Sequence, residues 1–350
     1  MKTQYSSLGI MAGSSMDGLD IVHSNFKKIE GKWTYEVEKR KTVPYNLEVY
    51  DRLKASSKMV HQEQKLLDID FGVWISDCIK EFIGKDDIEL DFIAIHGHTV
   101  IHEPHRGISW QLGSGEEISK RTGITTITEF RTEDISLGGQ GAPLVPVGDF
   151  YLFDEFDACL NLGGIANISV KKNRMAWDIS PCNQVLNFYA SKLGESYDEN
   201  GYLSRSGEVD MDFIRRIEQN DYFNCQPPKS LPNEFLKREL LDQISPRNGL
   251  RSMTEFVVKQ IAKDINEMEG SNLKMLVTGG GAHNDFLVER IKYHLPNWEI
   301  TIPTPDLIDF KEAIVFAFLG ALRFAGKVNT LASVTGATKD SSSGVIHFAK

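Results

Sequence analysis

Cysteine is scarce in this chain of 350 residues: Cys78, Cys159, Cys182 and Cys225 stand far apart, and none forms a CxxC pair. That spacing argues against a disulfide framework or a cysteine zinc site and makes a reducing cytoplasm the expected setting. Long apolar runs are also missing. The longest, Ala313 to Leu322 between Glu312 and Arg323, is about half of the ~20 residues that a membrane span needs, and it predicts a buried helix. No basic stretch followed by an apolar one opens the chain, so export is not expected. Positive charge is not in excess: 39 Lys and Arg face 49 Asp and Glu, a formal charge of -10. With no basic stripe to offset the acid, nucleic acid is excluded as the main partner. No low-complexity tract or short repeat stands out. The remaining composition, 41% hydrophobic and 25% charged, is that of a soluble globular protein long enough for two domains with a core each.

Three glycine-rich turns follow apolar strand-like runs. They are Gly9-Ile-Met-Ala-Gly13-Ser14-Ser15-Met-Asp17-Gly18-Leu-Asp20, Asn161-Leu-Gly163-Gly164-Ile-Ala-Asn167, and Thr278-Gly279-Gly280-Gly281-Ala-His-Asn284. Glycine admits positive φ and lets main-chain N–H groups approach an anion with no Cβ in the way. Three such turns predict two similar halves around a phosphate site, with ATP as the expected nucleotide. In the first turn, small hydroxyls could donate to phosphate while Asp17 or Asp20 holds magnesium through water. The competing reading is a plain hairpin, since Asp17-Gly18 is a strong turn signal. The third turn follows a strand and precedes a helical pattern, which suits an adenosine or phosphate contact at a helix N-terminus.

Strands are predicted at Tyr5–Met11, Trp33–Lys39, Leu90–Ile95, Thr125–Thr128 and Lys274–Val277, with a strand–turn–strand from Phe156 to Val170 that continues from Met175. Helices are predicted at Ser57–Phe82, Glu116–Thr122, Arg251–Met268 and Phe286–Tyr293. A polar stretch from Glu199 to Asn248, broken by Pro227-Pro228 and Pro232, reads as an inserted helical subdomain. The pattern as a whole predicts an α/β fold with a mixed sheet in each half. Its expected domains are 1–150, carrying the first turn and substrate-contacting segments, and 151–350, carrying the other two turns and the insertion near 199–248.

His96, His98, His102 and His105 lack the acidic or cysteine partners of a metal pattern, which leaves substrate hydrogen bonding or loop packing. Arg131 reads either as a structural ion pair or as a hold on an anionic substrate group. Asp178, at a strand end in Trp177-Asp-Ile-Ser-Pro-Cys-Asn183, is placed to act as a base on a hydroxyl or water. Its alternative role is to cap a helix starting near Asn183.

With these residues in place, the chain resembles the anhydro-N-acetylmuramic acid kinases of the sugar kinase–Hsp70–actin superfamily, nearly end to end. The resemblance rests on Gly9 to Asp20, His96-Gly-His-Thr-Val-x-His102-x-Pro104, Gln111-Leu-Gly113 and Phe130-Arg131. It extends through Gly138-Gly-Gln-Gly-Ala-Pro-Leu-Val-Pro146, Asn161 to Ile168, Pro227-Pro-Lys-Ser230, Gly279 to Asn284, Glu312-Ala313 with Phe316-Ala317, and Val334-Thr-Gly-Ala337. It implies a two-lobed actin-like (ribonuclease H-like) ATPase fold and a cytoplasmic homodimer, with no membrane partner. The implied reaction uses ATP and Mg2+. Water opens the bridge of 1,6-anhydro-N-acetylmuramic acid at C1 while O6 takes the γ-phosphoryl group, in cell-wall recycling. The family's base falls on Asp178. The implied phosphate and nucleotide residues are Gly13, Ser14, Ser15, Asp17, Gly18, Asp20, Gly163, Gly164, Gly279, Gly280, Gly281 and Asn284. His98, Arg131 and Glu312 are the implied sugar contacts.

The chain departs from the family where Asp-Thr-Gly-Pro-Gly-Asn-x-x-x-Asp is usual, with Asp178-Ile-Ser-Pro-Cys-Asn183-Gln-Val-Leu-Asn187 in its place. Ser14 stands for the usual Thr, His98 for Gln and Glu129 for Asp. Two other readings compete: a kinase for a different amino sugar, and a sensor that binds ATP and sugar without turnover, for which the altered 179–187 segment speaks.

Overall fold

The computed structural model describes residues 2–13, 16–86, 88–227, 229–231, 235–266, 268, 270 and 272–349. Ser14, Ser15, Pro228 and Pro232, which the sequence reading singled out, lie outside them. The chain divides into two compact units, 1–152 with 310–350, and 153–309. Residues 310–350 thus group with the first unit, whereas the sequence reading assigned them to the second half. The physical reason is a strand, Val345–His347, that completes the first unit's sheet.

In the first unit, β1 (Gln4–Ala12), β2 (Leu19–Ile29) and β3 (Lys32–Val43) form an antiparallel meander. β4 (Phe92–His96) joins β1 in parallel after the helix His61–Ile83. The hairpin of β5 (His98–Glu103) and β6 (Ile108–Leu112) and the helix Gly115–Thr122 then lead to β7 (Thr126–Thr128), parallel to β4. The helix His61–Ile83 forms because Leu67, Phe71, Ile75 and Ile79 recur every fourth residue, a stripe that lies in one core with Leu8, Ile10, Ile93 and Ile95. Ala313 to Leu322 is a buried stretch of the helix Pro305–Phe324, as its apolar run predicts.

In the second unit, β8 (Ala158–Leu162), β9 (Ile165–Val170) and β10 (Met175–Pro181) repeat the meander. β11 (Leu273–Thr278) and β12 (Trp298–Thr301) add in parallel to β8. The order β10-β9-β8-β11-β12 matches β3-β2-β1-β4-β7 position for position. Each parallel pair needs a long crossover, supplied here by helices. This doubled α/β pattern is that of the actin-like architecture. It puts the turn after β1 and the turn after β8 at equivalent places, and likewise the chain ends of β4 and β11.

The stretch 199–248 forms short helices, Tyr202–Arg205, Met211–Glu218 and Arg238–Leu241. Among the described residues it has no separate core: Phe213, Ile214, Ile217, Phe223 and Leu241 share one with β8 to β11.

Gly97, between β4 and β5, has room for no side chain, since a Cβ there would stand 1.8 Å from the Leu112 carbonyl oxygen. Gly97→Ala is expected to cost about 1–3 kcal/mol, the usual penalty of overpacking. Urea unfolding should show a lower midpoint at unchanged slope; an unmoved midpoint would contradict the packing described.

Candidate active site

In the first unit, β1 and β2 pair as an antiparallel hairpin as far as Ala12 and Leu19, so the hairpin reading of Asp17-Gly18 is correct as geometry. Met16 takes a positive φ of 62° and its N–H reaches the Gly13 carbonyl at 3.4 Å. Gly18 is buried against β3, where a Cβ would meet the Val43 carbonyl oxygen at 2.7 Å. Asp17 is exposed beside it. Asp20 lies on β2 opposite Met11, and its Oδ1 accepts the Thr42 hydroxyl at 2.6 Å. Both carboxylates act on Tyr45, whose phenol is pushed up by burial first and by Asp20 and Asp17 after it. Among the described residues the Tyr45 hydroxyl has no hydrogen-bond partner.

At the chain end of β4, the guanidinium of Arg131 donates from Nη2 (2.8 Å) and Nε (3.2 Å) to His96 Nε2, and from Nη1 to the Gly141 carbonyl at 2.6 Å. Because His96 Nε2 accepts, its proton is assigned to Nδ1, a buried atom with no partner among the described residues. Burial, then the Arg131 cation, hold His96 well below its ordinary value, so it is neutral. Arg131 is pushed down to about 10 by burial, against the pull of Glu312, and stays a cation at neutral pH. Glu312 is pushed up by desolvation, opposed by Arg131 and Lys311. Its side chain keeps contact with solvent, which screens the shift. His98 is buried, with its Nδ1 also unpartnered among the described residues. This part of the first unit therefore offers one fixed cation and two imidazole nitrogens that no protein group satisfies among the described residues.

The Gly138–Pro146 motif is fixed from beneath. Buried Asp134 accepts the Gly141 N–H at 2.8 Å and the Thr335 hydroxyl at 2.6 Å, while Gln140 N–H reaches the Thr335 carbonyl at 2.9 Å. Two motifs far apart in sequence, Gly138–Pro146 and Val334–Ala337, are thus one structural feature supporting Arg131.

In the second unit, three segments converge after β8, β10 and β11. The Gly163 carbonyl accepts from Asn183 N–H at 3.0 Å, and the Gly164 carbonyl accepts from Cys182 and Gln184 at 2.8 and 3.2 Å. Gly279 has φ +81° and lies where a Cβ would stand 2.4 Å from Asn161 Oδ1; at Gly281 it would stand 2.7 Å from the Leu162 Cβ. Gly280 is open by comparison, with its nearest neighbour, Asn183 Nδ2, at 3.6 Å. Packing explains the outer two glycines, and Gly280 is the one with space for a ligand. The Asn284 side chain caps the helix Asp285–His294, accepting from Leu287 N–H at 2.9 Å. Its Oδ1 therefore already has a structural role.

Asp178 lies on β10 beside a register shift between it and Ser180. It does not cap the helix Asn183–Ser191, whose N-cap residue is Cys182, with no side-chain capping hydrogen bond. Instead, residues 222–231 hold it on three sides. Its N–H donates to the Lys229 carbonyl at 3.0 Å, and its carbonyl accepts the Tyr222 hydroxyl at 2.7 Å. Its Oδ2 accepts Leu231 N–H at 2.8 Å and the Ser230 hydroxyl at 3.1 Å. Among the described residues nothing hydrogen-bonds Oδ1. Burial pushes the carboxyl above 3.8, with Leu231 and Ser230 pulling the other way. Below it, Lys229 and Asp264 form a buried ion pair at 3.2 Å, and Trp177 Nε1 donates to the same Asp264 carboxylate at 2.8 Å. The sequence reading missed these partners. The only hint was the Pro227-Pro-Lys-Ser230 motif.

In the altered segment, the N–H groups of Cys182 and Asn183 both donate to the glycine turn, and Asn187 is exposed. Ser180, at a usual glycine position, is fully buried, and its hydroxyl has no partner among the described residues.

A family model described as anhydro-N-acetylmuramic acid kinase matches residues 5–349. The chain is 32% identical over 365 residues to the anhydro-N-acetylmuramic acid kinase of Aliivibrio fischeri, covering 97% of this chain and 98% of the relative. It is 32% identical over 368 residues to that of Synechococcus elongatus, covering 95% and 96%. Among solved structures, component A of the (R)-2-hydroxyglutaryl-CoA dehydratase of Acidaminococcus fermentans is similar over 92% of this chain and all of its own. That likeness, at 13% identity and a TM-score of 0.45, is too loose to bear on function.

Proposed function

The chain belongs to the anhydro-N-acetylmuramic acid kinase family, and on that premise we propose that it uses ATP to convert 1,6-anhydro-N-acetylmuramic acid into N-acetylmuramic acid 6-phosphate. The observation that carries this reading is Asp178: a carboxylate fixed through its N–H, its carbonyl and Oδ2, with Oδ1 left for a proton.

In this reading Asp178 Oδ1 takes a proton from water as the water oxygen bonds to C1. The C1–O6 bond breaks and its electron pair stays on O6. O6 attacks the γ-phosphorus, and the bond to the β-phosphate oxygen breaks to release ADP. The proton leaves Asp178 to solvent, so atoms and charge balance. Positioning and charge stabilisation account for most of such catalysis. Arg131 supplies a positive charge for an anionic group on the sugar, and His98 and Glu312 hydrogen-bond it. The Gly13–Asp20 turn and Gly163-Gly164 hold the phosphates, and the Gly279–Gly281 turn accepts the nucleoside at Gly280, with its two outer glycines packed against Asn161 and Leu162. At Asn284, where Oδ1 caps its helix and the main-chain N–H and carbonyl are bonded within the chain, Nδ2 is the atom left with a donor N–H for the nucleotide.

Asp17 and Asp20 offer the oxygen donors that Mg2+ prefers. Two carboxylates together with substrate phosphates and water are a usual magnesium environment. Bound there, the ion would offset phosphate charge. A cytoplasmic homodimer in cell-wall recycling belongs to the same reading. Among the described residues no helix is long and apolar enough to cross a membrane.

The test is ADP release with Mg-ATP and each of three sugars. Turnover is expected with 1,6-anhydro-N-acetylmuramic acid and not with N-acetylmuramic acid or N-acetylglucosamine. Faster turnover on either reducing sugar would make the protein an ordinary amino-sugar kinase. A pH dependence follows from the same base. Asp178 must be ionised to accept a proton, and its carboxyl lies above 3.8. Activity should therefore fall as pH drops through a value higher than that of an ordinary aspartate. A kcat/KM profile flat through the acid range would contradict the assignment.

A further inference from the structure

Ser230 lies 52 residues beyond Asp178 and donates its hydroxyl to Oδ2 of that carboxylate. We propose that Ser230 is a positioning residue for the base: with Leu231 N–H it occupies Oδ2, so that the proton from water goes to Oδ1. The inference rests on Asp178 being the base and adds how that base is aimed.

Three observations support it. The hydroxyl and the main-chain N–H converge on one oxygen, at 3.1 and 2.8 Å, and leave the other without a protein partner among the described residues. A carboxylate held this way cannot rotate to exchange its oxygens without losing both bonds. The donor segment is itself anchored: the Lys229 carbonyl accepts the Asp178 N–H, and the Lys229 ammonium is buried against Asp264 and above the Tyr222 ring. Finally, Ser230 is exposed and belongs to neither unit's hydrophobic core cluster. A stability role is thus a poor explanation for a hydroxyl aimed at this oxygen. Tyr222, by contrast, holds only the Asp178 main chain and cannot choose between carboxylate oxygens.

A donor to an ionised carboxylate stabilises the charged form. Ser230→Ala removes that donor, so the acid limb of kcat/KM should move upward by about half to one pH unit. At the optimum, kcat should fall about 3- to 10-fold with KM for the sugar unchanged, since a rotating carboxylate spends part of its time misdirected. Ser230→Thr, which keeps the hydroxyl, should restore both. The wild type, both variants and Asp178→Asn are compared in ADP-release assays across the acid range, with thermal midpoints measured alongside. Lower kcat with an unmoved acid limb would reduce Ser230 to a structural residue, and wild-type behaviour in both would remove it altogether; either result overturns the inference. If Asp178→Asn kept full activity, the base assignment would fail instead, whatever Ser230→Ala does.

Discussion

Asp178→Asn is expected to lower kcat by about 100- to 10,000-fold, the range for loss of a general base, with ATP affinity and thermal stability close to wild type. Asparagine has the same shape, and its carbonyl oxygen can still accept from Leu231 N–H and Ser230, so the 222–231 clamp survives. The main-chain bonds to Lys229 and Tyr222 are unaffected. What is lost is the ability of the second oxygen to accept a proton. Such a loss corresponds to about 3–5 kcal/mol in the barrier. Steady-state ADP release, with nucleotide titration as the control, measures it. A variant within tenfold of wild type would mean that water is activated elsewhere.

Lys229→Met is expected to destabilise the protein by about 3–5 kcal/mol, the cost of removing one partner from a buried ion pair. Lys229 and Asp264 are both almost fully buried, with side chains 6% and 7% exposed. Without Lys229, the Asp264 carboxylate keeps the Trp177 indole N–H as its neutral donor. One neutral hydrogen bond cannot replace the ammonium. Replacing both partners by apolar residues of similar size removes the buried charges together. Lys229→Met with Asp264→Leu should therefore recover much of the loss. Urea midpoints of the single and double variants check this. A single variant as stable as wild type would show that the pair is hydrated and weak. Because Lys229 also presents its carbonyl to Asp178 N–H, the single variant should lose activity at temperatures where it is still folded.

The three glycine turns were legible because glycine next to a strand leaves few conformational alternatives, and the first two fall at equivalent strand ends of two repeated sheets. The helix His61–Ile83 was legible from its four-residue apolar stripe. β2 was not, since Leu19-Asp-Ile-Val-His-Ser-Asn-Phe mixes polar and apolar residues on a strand whose Val22, His23 and Ser24 are all buried. Nor was the return of residues 310–350 to the first unit, which depends on Val345–His347 pairing with β7 more than 200 residues away.

Asp178 stood out as a lone carboxylate at a strand end, yet its partners could not be read: Ser230 and Leu231 reach it across 52 and 53 residues. Hydrogen bonds at that separation leave no periodic trace in a sequence. Asn284 is the opposite case. An asparagine immediately before an amphipathic run is an N-cap signal, and the nucleotide reading overlooked it. Arg131 was read as either an ion pair or an anion holder. It neighbours Glu312 while its guanidinium is fixed by His96 and the Gly141 carbonyl.

The central claim is that water, not a hydroxyl already present on the sugar, opens the bond whose oxygen receives the phosphoryl group. Turnover of 1,6-anhydro-N-acetylmuramic acid in oxygen-18 water separates the possibilities, with the product incubated alone in the same water to set the exchange background. Label at the C1 hydroxyl of the sugar 6-phosphate, above that background and absent from the phosphate, is the expected result. Label in inorganic phosphate with the sugar unchanged, or a phosphorylated sugar whose anhydro bridge is intact, would contradict it.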